Sequence, residues 1–109
     1  MPINGTFFYK KIDQIKLEKK FNKIYSNLKT NNALDIFIDK DDIYVSYEKK
    51  NENCSFLYLA KSKINFKELN FEDIFKSNEC VSKIQSGRIQ KTIINNEDFI
   101  LLSTAADIF

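Results

Sequence analysis

Four aspartates, Asp35, Asp39, Asp41 and Asp42, fall within eight positions in the stretch DIFIDKDDIYVSY. Carboxylates at such density could hold a cation or share a proton in acid-base catalysis. A calcium loop of the EF-hand type needs acids at alternating positions, glycine at the sixth position and a bidentate glutamate at the twelfth. Residues 39–42 offer neither the glycine nor the spacing. Asp favours turns because its carboxylate accepts hydrogen bonds from nearby backbone N–H groups, so the stretch is read as the polar turn of a hairpin. An exposed acidic turn remains able to dock a partner.

Other chemistry is scarce. The chain has no histidine, which removes Ser-His-Asp and Cys-His catalysis and the commonest neutral-pH acid-base group. Two cysteines without histidine are too few for a zinc site, and no metal or cofactor is expected. Gly5 and Gly87 stand 82 positions apart, so no glycine-rich phosphate loop exists. Carboxylate pairs such as Asp39 with Glu48, or Glu72 with Asp73, are indistinguishable from solvated surface by spacing alone.

The basic residues are 16 Lys and 1 Arg. Lys16, Lys19, Lys20 and Lys23 recur at helical spacing and, with Arg88, form a candidate nucleic-acid surface. Arginine supplies most bidentate base and phosphate contacts, and its near absence favours a plain solvated face. Charge alternates along the chain, +5 over 10–30, −4 over 31–48, +4 over 49–67 and −3 over 68–80. Both signs on one surface suit a protein partner better than a polyanion. Aromatics on the strands, Tyr44 with Phe37 or Tyr58, imitate RNA-binding sheets, but the accompanying glycine-aromatic motif is missing and core packing is the simpler role.

The elements that must carry these residues follow from hydrophobic periodicity. At 109 residues and 43% apolar content the chain fits one domain, 1–109, with a single core. Residues 13–32 read as an amphipathic helix with Leu17, Phe21, Ile24, Tyr25 and Leu28 on one face and Asp13 as its N-cap. Alternation predicts strands around 34–39 and 43–48. CSFLYLA, apolar on both faces, belongs near a sheet centre. Asn70 followed by Glu72 and Asp73 suggests a short helix at 71–77. CVSKIQ and RIQKTII flank Ser86-Gly87, a candidate two-residue hairpin turn. FILLSTA reads as a last buried strand, with Ile108 and Phe109 closing the core. The expected fold is α+β: a long N-terminal helix packed on a mainly antiparallel sheet of five or six strands, with a second short helix.

No seven-residue apolar leader core opens the chain and no apolar run nears 18 residues, so a cytoplasmic location without membrane contact is expected. There Cys54 and Cys80 would be reduced, buried thiols. The functional expectation is a non-enzymatic protein-binding inhibitor that covers a partner's surface. Small bacterial immunity proteins, antitoxins that mask a toxin's active site, are of this general type. The acidic residues Asp39, Asp41, Asp42 and Glu48, with Tyr44, would then face a basic toxin domain such as a nuclease. A small nucleic-acid-binding module using the lysines above is the alternative.

Overall fold

The computed structural model describes residues 6–11, 21–30 and 32–109. Among them are nine strands and no helix: β1 (Phe7–Tyr9), β2 (Asn22–Ser26), β3 (Ala33–Asp39), β4 (Asp42–Asn51), β5 (Cys54–Lys63), β6 (Glu68–Leu69), β7 (Glu72–Lys76), β8 (Lys83–Ile94) and β9 (Glu97–Asp107). No helix of the described residues is long and apolar enough to cross a membrane.

The centre is an antiparallel sheet in the order β3-β4-β5-β7. The aspartate stretch is its first hairpin: Asp39 and Asp42 pair across the turn, and Lys40 takes positive φ (54°). Strands β4 and β5 are buried on both faces because each face receives a separate layer. Ile43, Val45 and Tyr47, with Ala60, pack against Ile24, Leu28 and Leu69, beside the small β1-β2-β6 sheet. Tyr44 and Leu59 on the opposite face meet Ile89, Ile100 and Leu102 of the β8–β9 hairpin. Alternation of side chains along a strand separates the two sets.

The helical expectations are corrected. Residues 22–26 form β2, paired antiparallel with β1 and in parallel with β6. Ile24 is buried while its neighbours Lys23 and Tyr25 are exposed, which is a two-residue period. Over so short a segment the apolar spacing fits either element, and the partners Phe7, Phe8 and Leu69, distant in sequence, decide for the strand. The part of the proposed helix at 12–20, with Asp13, Lys16, Lys19 and Lys20, lies outside the described residues. The second helix is β7, paired with β5 from Tyr58↔Lys76 to Lys61↔Glu72. Ile74 and Phe75 favour a strand, and the exposed edge of β5 outweighs the acidic first turn. Among the described residues the fold is therefore all-β in three sheets, not the expected α+β.

Ser86-Gly87 is not a turn. Strand β8 runs through it and reverses at Asn95-Asn96, both at positive φ (52° and 65°), which Asn tolerates. Gly87 serves another purpose: a Cβ there would stand 2.8 Å from Leu57 Cδ1 and 3.1 Å from both Leu34 Cδ1 and Ser46 Oγ. Its missing side chain lets β8 cross close over β4, where Ser46 Oγ donates a hydrogen bond to the Gly87 carbonyl.

The cysteines are also paired, not free. A Cys54–Cys80 disulfide ties the start of β5 to the segment entering β8. Next to it, Ser55 N–H donates to the Val81 carbonyl at 2.8 Å. Ile108 and Phe109, expected to close the core, are exposed.

Candidate functional site

The carboxylates of the hairpin hold the β8–β9 layer in place. Asp35 Oδ2 accepts from Ile89 N–H at 2.8 Å while its Oδ1 accepts from Ile36 N–H at 2.9 Å. This turns the alternation of β3 over: Asp35, Phe37 and Asp39 are half-buried toward β8, and Ile36 and Ile38 are exposed. Asp39 accepts from Lys91 Nζ at 3.1 Å. Asp42 lies 2.9 Å from Lys63 Nζ and 3.7 Å from Lys61 Nζ. The Lys63 hydrogen bond holds the Asp42 carboxyl below its ordinary range against the opposing effect of partial desolvation. Only Asp41 of the four is fully solvated.

Glu48 is 5% exposed. Its Oε2 accepts from Ile84 N–H at 2.7 Å and its Oε1 from Asn32 Nδ2 at 2.9 Å. Burial is the largest single influence on this carboxyl and pushes it up. The hydrogen bonds from Ile84, Asn32 and Ser55, with Lys50 nearby, together outweigh burial and hold it below the ordinary value. Tyr44 is buried under the hairpin, tilted against Phe37 at 6.3 Å. Of the expected partner-binding set, then, Glu48 and Tyr44 are interior, Asp39 and Asp42 are paired with lysines, and Asp41 alone is open.

Of the alternative basic set, Lys23 and Arg88 lie among the described residues and are not brought together. Lys23 lies on β2 with its Nζ 5.7 Å from the Tyr25 ring centre, on one side of the central sheet. Arg88 is exposed on β8, on the other side. The candidate acid-base pairs dissolve as well. Asp39 precedes the turn at one end of β4 and Glu48 sits six residues along from Asp42, roughly 20 Å away at strand rise. Asp73 accepts a 2.5 Å hydrogen bond from the Tyr47 hydroxyl. Burial, then that bond, push the Tyr47 phenol above its ordinary value, so it stays protonated. Among the described residues no three His, Cys, Asp or Glu side chains gather to hold a metal ion.

What remains is an apolar groove that sequence reasoning missed. The two strands of the β8–β9 hairpin are too few to cover four. Strand β8 contacts β3 and β4 through Ile89, Lys91 and Gly87, and β9 reaches the face of β5 through Ile100 and Leu102. Strand β7 is left bare. Between β7 and β9 opens a cleft of about 450 Å³ with Leu57 and Leu59 as floor, Ile74, Phe75 and Ser77 on one wall, and Ile100, Leu102 and Thr104 on the other. Ile74 is 50% and Phe75 45% exposed. The available signal was Ile74-Phe75 between the charged Asp73 and Lys76, which fits neither a solvated helix face nor a fully covered strand.

Comparison of the chain with protein-family models, with curated proteins and with solved structures found no match in any of the three.

Proposed function

We propose that this chain is a non-enzymatic, protein-binding protein whose docking surface is the β7–β9 groove. The observation that carries the reading is an open apolar cleft, walled by Ile74 and Phe75, in a chain whose Asp35, Asp39, Asp42 and Glu48 carboxylates are engaged with its own strands. Exposed contiguous apolar surface is costly to maintain and marks interaction sites. Inhibition by covering a partner, including neutralisation of a toxin, falls within this reading, with the groove in place of the acidic turn. The Cys54–Cys80 bond supports placing the activity in an oxidising compartment rather than the cytoplasm.

The test is a photo-crosslinking amino acid placed at Phe75 or, as control, at the exposed Ile36 on the opposite face of the sheet. Irradiated in extract of the native host, the Phe75 position is expected to trap a discrete protein that the Ile36 position does not. Equal trapping at both positions, or none at either, overturns the proposal.

A further inference from the structure

We infer that the outward face of the small β1-β2-β6 sheet binds single-stranded nucleic acid, with Phe8 and Tyr25 stacking bases and Lys23, beside both, meeting phosphate. The inference goes beyond the protein-binding reading and is independent of the groove.

Alternation sorts the side chains of these short strands onto two faces. Phe7, Tyr9, Ile24 and Leu69 turn inward to the core beneath. Phe8, Lys23 and Tyr25 turn outward, where Phe8 is 58% and Tyr25 70% exposed. Phe8 stands opposite Lys23 across the β1-β2 pair, and Tyr25 is its diagonal neighbour, at a spacing of roughly 7–8 Å. The Lys23 Nζ lies 5.7 Å from the Tyr25 ring centre, so a cation already sits over one of the rings. Two open rings side by side on one sheet face form a stacking platform, which scattered single exposures do not.

Charge and rings together select the occupant. Charge that alternates along the chain is sorted in space by the fold. The described residues that build and flank this sheet, 6–11, 21–30 and 64–70, carry five lysines, Lys10, Lys11, Lys23, Lys29 and Lys67, against one acid, Glu68. Glu68 is the neighbour of Tyr25 across the β2-β6 pair and is itself exposed, so it lowers the positive balance of the face without reversing it. Such a surface complements a polyanion. An acidic protein would answer the lysines and leave the rings unused, whereas every base has a π-face to stack on them. A second copy of the chain would set lysine against lysine. Lysine meets phosphate as a point charge, so the scarcity of arginine bears on reading base edges and not on holding a strand by charge and stacking. The ligand is therefore a single strand held with little sequence preference, because a duplex keeps its base faces stacked on one another.

The probe is a fluorescein-labelled twelve-nucleotide oligo(dT), titrated with the full chain by fluorescence anisotropy from about 50 mM salt upward, beside a duplex of equal length and labelled polyglutamate. The single strand is expected to bind with log affinity falling linearly with log salt, and the duplex to bind about tenfold more weakly. Phe8→Ala and Tyr25→Ala are each expected to weaken binding about tenfold with the salt slope unchanged. Lys23→Ala is expected to make that slope shallower by roughly 0.7, and Leu101→Ala, an exposed apolar position on β9, to change nothing. Absence of oligo(dT) binding, equal binding of the duplex, or full affinity in both ring variants overturns the inference. Polyglutamate binding that equals that of oligo(dT) and ignores the rings overturns it in favour of an acidic protein. Crosslinking from Phe75 reports on the groove alone, so failure there leaves this inference standing, and failure of oligo(dT) leaves the protein-binding reading standing.

Discussion

Glu48→Ala is expected to lower the stability of the folded chain by about 3 kcal/mol, and to leave β8 detached from β4 at that point. The change deletes the acceptor for Ile84 N–H and for the Asn32 amide in a site with almost no access to water. Hydrogen bonds to a charged acceptor contribute about 1.5–3 kcal/mol each, and donors left dry cost a further fraction of that. Glu48→Gln keeps the shape and one carbonyl acceptor, and is expected to cost roughly half as much. Acid provides a second readout. The folded Glu48 carboxyl sits below its ordinary value of 4.5, so its contribution is fully present above that value and is lost as pH falls through the lowered folded one. Urea denaturation from pH 7 downward should therefore show the parent losing its advantage over Glu48→Gln below about pH 4.5. Equal stability of parent and Glu48→Ala at pH 7 would remove Glu48 from its assigned role.

Removal of the Cys54–Cys80 bond by Cys54→Ala with Cys80→Ala should have an effect of similar size. The sequence separation of 26 corresponds to about 3.5 kcal/mol of lost chain-entropy restraint in the unfolded state. The bond also fixes where the hairpin starts, since the Ser55–Val81 bridge lies immediately beside it. Guanidinium melts with and without reductant measure the effect, and thiol titration of unreduced protein should find no free cysteine. Unchanged melting on reduction would contradict this.

The first hairpin of the central sheet was legible in the sequence. Alternating apolar residues on both sides of Asp39-Lys40-Asp41-Asp42 leave little else to build, and CSFLYLA, apolar on both faces, is the inner strand β5 as its pattern required. What was not legible was set by distant partners. Asn22–Ser26 and Glu72–Lys76 satisfy two periodicities at once, and only their neighbours in space, Phe7 with Leu69 and β5, choose between them. Ser86-Gly87 looked like a turn because glycine so often serves one. Its use here is to admit Leu57 and Leu34, which lie 30 and 53 positions away. The same blindness hid the groove. Nothing local to Ile74 and Phe75 reveals that the covering layer has one strand too few.

The claim on which the account turns is that this bare wall, and no acidic turn, meets the partner. Its most direct measurement is side-by-side capture of the partner trapped from Phe75 by the parent chain, by Ile74→Asp with Phe75→Asp, and by Asp39→Lys with Asp41→Lys and Asp42→Lys, each shown by its melt to be folded. Capture by the parent and the lysine variant, and its loss with the two groove aspartates, is the predicted result. Capture that survives the groove aspartates and disappears with the three lysines would contradict it.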